Sequence, residues 1–202
     1  MRQAKADYIK PSLYSKLYSS MTYENVLVMR TSLETGMRVG DVVALTPQQL
    51  NKRTITYTAE KTGKRDRKVI SQELANRLRR IAGRRWIFEG RNPTKHRTRQ
   101  AVWADVRKAC KEAGISEHAS PHSARKTYAV KIFQADGLKA VQDELQHDSI
   151  ETSMLYAFSN LLSAGTPSEP SAGSVEVLAE LVADKVIERL KKFYGKENQG
   201  IQ

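Results

Sequence analysis

Cysteine is almost absent from this sequence, in which Cys110 is the only one among 202 residues. A single thiol excludes an internal disulfide framework and a metal cluster built from thiolates. No apolar run approaches the roughly 18 residues of a membrane span, and the basic residues 1–7 lack the apolar core of a signal peptide. We therefore expect an intracellular protein without membrane contact, in which Cys110 is a small packing residue on a helix.

Several motifs of enzymes and cofactor sites are missing as well. There is no Gly-x-Ser-x-Gly elbow and no phosphate-cradling Gly-x-x-x-x-Gly-Lys loop, so hydrolase triads and ATP use have no support. His118 and His122 have a spacing that can bind zinc on a helix, but Pro121 lies between them. We expect neither a metal nor another cofactor.

Positive charge, in contrast, is abundant. The chain has 34 lysine and arginine residues against 22 aspartate and glutamate residues, a formal net charge of +12 and a pI near 9.8. Residues 163–202 hold five basic and six acidic residues, which leaves 29 basic and 16 acidic residues in positions 1–162. This excess favours a polyanionic partner such as nucleic acid, bound by the first 162 residues.

Periodicity predicts an α+β fold that is mainly α, with a small three-stranded antiparallel sheet. The alternating run Thr54–Thr58, the turn Lys61–Lys64 and the run Arg67–Ile70 predict a hairpin. A third short strand is expected near Gln49–Asn51. Helical spacing of apolar residues and stop signals such as Thr35-Gly36 predict the helices. Their expected ranges are about 23–34, 40–45, 71–82, 99–113, 122–135, 138–145 and 150–157.

Three separated motifs carry side chains suited to phosphate chemistry: Thr35–Asp41, Pro121–Arg125 and Gln146–Tyr156. Arginine offers a permanently charged fork that matches phosphate oxygens. Histidine transfers protons near neutral pH, and a tyrosine hydroxyl is a nucleophile once it is activated. The residues are Arg38 in the first motif, His122 and Arg125 in the second, and His147 and Tyr156 in the third. Together they predict covalent phosphoryl transfer on nucleic acid.

From about residue 23 to residue 162 the chain resembles the tyrosine recombinases, or phage-type integrases. In that family an arginine follows a Thr-Gly pair and an acid stands three positions on, as Arg38 and Asp41 do here. A hairpin lysine in a Lys-Thr-Gly context corresponds to Lys61. The family's His-x-x-Arg box corresponds to His122 and Arg125. The resemblance implies a helical catalytic domain with a small sheet that cuts and rejoins DNA at specific sites.

The third motif supplies the nucleophile that the resemblance implies. His147 precedes Tyr156 by nine residues, as the family's second histidine precedes its tyrosine. Tyr156 is expected to attack the scissile phosphate, forming a 3′-phosphotyrosyl link and a free 5′-hydroxyl. His122 is expected to assist removal of the tyrosine proton, and His147 to hydrogen-bond a non-bridging oxygen. Exchanging a phosphodiester for a phosphotyrosine conserves bond energy, so the reaction needs no ATP or metal.

The remaining residues receive roles by the same resemblance. Arg38 and Arg125 are expected to hold the non-bridging oxygens and to stabilise the charge of the pentacoordinate transition state. Lys61 is expected to protonate the leaving 5′-oxygen from the hairpin, with Lys64 as the alternative. Asp41 is expected to orient its neighbours.

The chain is expected to have three parts. Residues 1–162 form the catalytic domain, and residues 163–173, rich in serine, glycine and proline, are typical of a flexible linker. Residues 174–202 contain a C-terminal amphipathic helix, Val175 to Phe193, with two alternatives open: packing on its own domain or exchange between protomers. The family's helical core-binding domain is not recognised before Tyr23, where the first predicted helix begins. We therefore expect either a piece of a longer integrase or a single-domain member.

Double-stranded DNA is the expected partner, bound by a homo-oligomer that forms a tetramer on paired sites, with accessory DNA-bending proteins as possible helpers. We expect a bacterial or phage-encoded protein that is located in the cytoplasm and associated with the nucleoid.

Three alternatives stay open. Residues Lys108–Phe133 could form the helix-turn-helix of a regulator without catalysis. The basic charge also permits a DNA-compacting protein. A type IB topoisomerase shares the covalent chemistry.

Overall fold

The computed structural model describes residues 9–115 and 119–145. The chain divides into two compact units, Met1–Ser163 and Ala164–Gln202, and the second lies outside the described residues. None of the helices in the described part is long and apolar enough to cross a membrane. The helices of that part are α1 Tyr14–Tyr18, α2 Tyr23–Thr35, α3 Val39–Val43, α4 Gln72–Ile81, α5 Arg99–Ala113 and α6 Pro121–Leu145, with short 3-10 turns at Pro11–Leu13 and Pro47–Gln49.

The sheet has three antiparallel strands in the order β1 (Leu50–Asn51), β2 (Thr54–Thr58) and β3 (Arg65–Val69). Its register places Ile55 opposite Lys68 and Tyr57 opposite Asp66. Side chains of directly opposed residues lie on the same face of a sheet, and Ile55, Tyr57 and Lys68 are buried. The predicted hairpin and third strand are confirmed, although β3 begins two residues earlier than expected.

Helix α2 is fixed at both ends. At its start, the backbone N–H and the hydroxyl of Thr22 donate to Oδ2 of Asp105 on α5, at 2.9 and 2.8 Å, and the Asn25 amide donates to the same oxygen at 2.7 Å. At its end, Gly36 adopts a left-handed conformation with φ +70°, and its N–H donates to the Ser32 carbonyl at 2.8 Å. Glycine after the last turn is a common helix stop, and the predicted end of this helix is confirmed.

Helix α6 begins with a reciprocal cap. The Ser120 hydroxyl accepts from the His122 N–H at 3.3 Å, and the Ser123 hydroxyl accepts from the Ser120 N–H at 3.0 Å. Pro121 stands at the first helical position, where its missing N–H costs nothing. The helix is interrupted at Gly137, with φ +80°. This break separates the two helices that the sequence predicts at 122–135 and 138–145.

Helix α2 lies at the centre of the fold, packed against α3, α4, α5 and α6. Its residues Leu27, Val28 and Met29 are fully buried in a core to which most elements contribute. Cys110 is buried in this core on α5, as expected. Helix α1 is not predicted from the sequence, yet Tyr14 and Leu17 are buried. The Tyr14 and Thr127 hydroxyls are hydrogen-bonded at 2.9 Å, which ties this first helix to α6.

Candidate active site

Arg38 lies in the short extended segment between α2 and α3. It occupies the position before the first residue of α3, with φ −68° and ψ 144°. The preceding Met37 is fully buried, its carbonyl accepts from the Ser32 hydroxyl at 2.7 Å, and its N–H donates to the Thr35 hydroxyl oxygen at 3.2 Å. The backbone before Arg38 is therefore fixed, while the Arg38 side chain is partly exposed.

Arg125 lies on α6 and faces the same segment. It is only 4% exposed, and its guanidinium donates from Nη1 to the Gly36 carbonyl. Its Nη2 donates to the Leu145 carbonyl at 2.8 Å. A planar guanidinium held at two of its nitrogens has a defined orientation. Arg125 thus joins the end of α2, two residues before Arg38, to the C-terminal end of α6.

His122 lies one helical turn before Arg125 and is an exposed residue. The pKa of His122 is lowered to about 4 because neighbouring protein atoms displace water from the ring, and because Arg125, Lys126 and Arg38 add positive charge. Both effects disfavour the protonated ring, so the imidazole is neutral at pH 7. The hydrogen bond from Arg125 to the Gly36 carbonyl shows that the first and second motifs meet in the fold, and the positive charge of Arg38 acts on the pKa of His122.

Asp41 connects the first motif to the hairpin. It lies on α3, is 8% exposed, and its Oδ1 accepts from the Glu60 N–H at 2.9 Å. Glu60 immediately precedes Lys61, whose side chain is exposed in the β2–β3 turn. The turn is closed by hydrogen bonds from Gly63 N–H to the Ala59 carbonyl at 2.8 Å and from Ala59 N–H to the Lys64 carbonyl at 2.9 Å. Asp41 therefore fixes the backbone at the start of the turn, and its orienting role in the reaction stays a prediction.

The predicted site residues are thus partly placed. Arg125 and His122 on α6 lie near the segment that carries Arg38, and the residue before Lys61 is anchored by Asp41 to α3, the helix that follows Arg38. His147 and Tyr156 lie outside the described residues. The chain reaches the last described residue, Leu145, two positions before His147.

The structure adds residues that the motif analysis misses. Lys126 is buried beside Arg125 and contributes positive charge at His122. Lys68 is buried on β3, and its ammonium contacts Glu144 near the end of α6. Neither lysine stands in a motif that distinguishes it from the other basic residues. Across residues 9–115 and 119–145, no group of three or more histidine, cysteine or acidic residues could hold a metal ion.

Comparison with known proteins supplies the family. A model described as the phage integrase family matches residues 8–161, which is most of the chain. The chain belongs to the phage integrase family. This confirms the resemblance seen in the motifs.

The chain is similar to curated members of that family. It is 31% identical over 159 residues to tyrosine recombinase XerC of Roseiflexus sp. (strain RS-1), covering 70% of this chain and 50% of the relative. It is 30% identical over 134 residues to tyrosine recombinase XerD of Pseudomonas putida (strain KT2440), covering 60% of this chain and 45% of the relative. The chain therefore spans about half the length of these relatives.

Solved structures confirm the fold class. A lambda integrase dimer bound to a COC′ core site matches with a TM-score of 0.69 and 17% identity, covering 85% of this chain and 53% of the integrase chain. The catalytic domain of bacteriophage HP1 integrase matches with a TM-score of 0.59 and 23% identity, covering 79% of this chain and 94% of that domain. At these identities the likeness is one of fold: a mainly helical domain with a small antiparallel sheet.

Proposed function

We propose that this chain is the catalytic part of a tyrosine-type site-specific DNA recombinase, which cuts and rejoins double-stranded DNA through a 3′-phosphotyrosyl intermediate. The observation that carries the proposal is the hydrogen bond from Arg125 to the Gly36 carbonyl, two residues before Arg38, in a member of the phage integrase family. It joins motifs more than eighty residues apart, and His122 lies one helical turn before Arg125, where both arginines lower its pKa. Two arginines beside a neutral histidine match the needs of phosphoryl transfer, which are charge stabilisation and a proton acceptor.

Arg38 and Arg125 serve as the phosphate clamp. Their guanidinium groups donate to the non-bridging oxygens and stabilise the extra negative charge of the pentacoordinate transition state. Arg125 is suited to this role because the Gly36 and Leu145 carbonyls fix its orientation before substrate arrives. Such preorganised donors need no rearrangement at the moment of reaction.

The proton transfers are proposed from the family resemblance and from the neutral state of His122. The Tyr156 oxygen forms a bond to phosphorus while the bond from phosphorus to the 5′-oxygen breaks. His122 is neutral near pH 7, so it can accept the tyrosine proton. Lys61 donates a proton to the leaving 5′-oxygen from the β2–β3 turn, and His147 hydrogen-bonds a non-bridging oxygen. One phosphoester replaces another, so the step requires no ATP or metal.

The partners are proposed from charge and from the relatives. The basic excess of residues 1–162 suits a DNA duplex. Lambda integrase has been solved as a tetramer bound to a Holliday junction, and we extend this assembly to the present chain.

Residues 174–202, outside the described part, are proposed to supply a helix to the neighbouring protomer. A chain truncated after Leu162 should then cleave single sites but fail to pair two DNA sites in a gel-shift assay.

A regulator without catalysis is the less favoured alternative. A helix-turn-helix joins its helices by a turn of about three to four residues, whereas residues 114–120 separate α5 from α6. That alternative also assigns no role to the link between Arg125 and the segment that carries Arg38. A topoisomerase of type IB shares the chemistry, and cleavage of a defined site in preference to random DNA separates the two activities.

The test of the phosphate clamp is single-turnover cleavage of a nicked suicide substrate, followed as a protein–DNA adduct that survives denaturing electrophoresis. Arg38→Ala and Arg125→Ala should each slow adduct formation by at least ~10²-fold, the scale for losing one transition-state donor. DNA affinity should fall far less, because many lysines and arginines share the phosphate contacts. Arg80→Ala, an exposed arginine at the end of α4, is the matched control. Equal rates for Arg38→Ala and Arg80→Ala contradict the proposal.

A further inference from the structure

Lys68 is a buried lysine that no motif singles out. It lies on the inner face of β3, opposite Ile55, and is 6% exposed. Its ammonium group donates to both the carbonyl oxygen and Oε1 of Glu144, each at 2.8 Å. It also forms an ion pair with Oδ2 of Asp66 at 3.3 Å. A buried ammonium costs free energy unless it is paired and hydrogen-bonded, and these three oxygens meet that need.

Two tyrosines complete the cluster, which we term the Lys68 cluster: Lys68, Asp66, Glu144, Tyr57 and Tyr128. The Tyr128 hydroxyl donates to Glu144 Oε1 at 2.6 Å, and the Tyr57 hydroxyl donates to Asp66 Oδ2 at 3.3 Å. Burial and the neighbouring carboxylates raise the pKa of both hydroxyls, so they remain protonated donors. The cluster therefore bridges β2 and β3 to α6.

The cluster acts on the last turn of α6. The final carbonyls of a helix lack partners within the helix, and cations near a helix C-terminus interact favourably with its dipole. Here Lys68 binds the Glu144 carbonyl and Arg125 binds the Leu145 carbonyl. Two cations, one from the sheet and one from the phosphate clamp, thus hold consecutive carbonyls. His147 follows Leu145 by two residues.

We propose that Lys68 is a positioning residue of the recombinase: through Glu144 it fixes the end of α6, and so the start of the segment that carries His147 and Tyr156. This inference rests on the proposed function. Lys68 itself is turned toward Glu144 and Asp66 inside the fold, and it does not touch substrate. Its contribution is the alignment of the nucleophile segment with Arg125, and small misalignments of reacting groups slow chemistry strongly.

The experiment compares wild type, Lys68→Met and Glu144→Gln in the full chain, by single-turnover cleavage at saturating DNA. Lys68→Met should lower the rate constant by about 10- to 100-fold. The final fraction of protein in adduct and the Kd for DNA should stay within about twofold of wild type, since a folded Lys68→Met chain keeps all of the proposed substrate contacts. Glu144→Gln should lower the same rate constant less, since an amide oxygen still accepts from Lys68. Lys111→Met, an exposed lysine on α5, should leave it unchanged.

A purely structural role gives a different result. It would lower the melting temperature and the final adduct fraction without changing the rate constant of the folded protein, and that result overturns the inference. Should Lys68→Met fail to fold, Glu144→Gln carries the test alone, because the substitution keeps the shape of a side chain that is 39% exposed. The double variant should be no slower than Lys68→Met, since both residues act through one contact.

Two further readouts separate the possible failures. On a 5′-phosphorothiolate substrate, the leaving group needs no proton. Lys68→Met should lower the cleavage rate constant on this substrate by the same factor as on the normal substrate. If the cleavage rate of Lys68→Met recovered on this substrate, Lys68 would act on protonation of the leaving group, through the hairpin. That result would overturn the inference. Equal cleavage rate constants for wild type and Lys68→Met would overturn the inference and leave the proposed function intact. If wild type itself forms no adduct with either substrate, both fail.

Discussion

Gly36 shows at the scale of one residue how the fold constrains the site. Its φ of +70° lies in the left-handed region that favours glycine. A Cβ at this position would lie 2.5 Å from Cδ1 of Tyr128 and 2.6 Å from Cδ2 of Leu145. Its carbonyl accepts a hydrogen bond from Arg125. Glycine is thus needed both for the end of α2 and for the close approach of α6 to the segment that carries Arg38.

Gly36→Ala should destabilise the protein more than Gly114→Ala. Both glycines have a positive φ, +70° and +61°, but nothing lies within 4 Å of a Cβ at Gly114. Each substitution should cost about 1–2 kcal/mol for the left-handed conformation. Gly36→Ala should cost about 1–3 kcal/mol more for the forced displacement of Tyr128 and Leu145. Urea unfolding measures both, and equal losses would show that α6 does not approach Gly36 as closely as described.

His122 should titrate below an ordinary histidine. Its pKa is lowered to about 4, against 6.5 for the free side chain, because neighbouring protein atoms displace water from the ring and because Arg125, Lys126 and Arg38 add positive charge. Between these two values the unfolded chain binds a proton at this position and the folded chain does not. Protonation of His122 therefore favours the unfolded chain. Through this residue the free energy of unfolding decreases as the pH falls from 6.5 toward 4. An NMR titration of the ring protons in the folded protein should give an apparent pKa well below 6.5.

The control for this titration is His122→Gln. The variant should lack the assigned resonance, and its melting temperature should fall less than that of wild type between pH 6.5 and pH 4. A ring that titrates at 6.5 or above would show that the positive neighbours do not act on His122. It would also show that the charge of Arg38 does not reach the ring.

At the scale of elements, sequence reasoning works where the signal is local. The end of α2 at Gly36, the β2–β3 hairpin and the break in α6 at Gly137 are all marked by nearby residues. Helix α1 is missed because five residues are too short for a periodic pattern. The contacts of Asp105 with Thr22 and of Lys68 with Glu144 are also missed, since they join residues about eighty positions apart. Only the folded chain shows these pairs.

The hairpin provides a prediction about proton transfer. Lys61 and Lys64 are both exposed near the β2–β3 turn, and only Lys61 directly follows the residue that Asp41 anchors. Lys61→Ala should cleave a normal substrate slowly but recover on a 5′-phosphorothiolate substrate, because a thiolate leaves without a proton. Lys64→Ala is the matched control and should cleave both substrates at nearly the wild-type rate. Recovery by Lys64→Ala instead would move the general acid three residues along the hairpin.

At the scale of the whole molecule, the candidate site is assembled from segments that the sequence keeps far apart. The motifs predict Arg38, His122 and Arg125 as a set, and the fold brings the three together. The motifs do not predict how the set is held, through the Gly36 carbonyl, Asp41 and the Lys68 cluster, because these contacts depend on tertiary packing. The fold also weakens the case for another nucleophile. Tyr128 is buried, donates to Glu144, and has a raised pKa, which makes it a poor attacking group.

The central claim, covalent catalysis by Tyr156, is tested most directly by Tyr156→Phe on a nicked suicide substrate. Only one hydroxyl is lost, so folding and DNA affinity should match wild type, while the adduct that survives denaturing electrophoresis should disappear. Tyr23→Phe, at a tyrosine that is 46% exposed on α2, should form adduct at the wild-type rate. Peptide mapping of the wild-type adduct should place the DNA on Tyr156. An adduct formed by Tyr156→Phe at the wild-type rate would contradict the account.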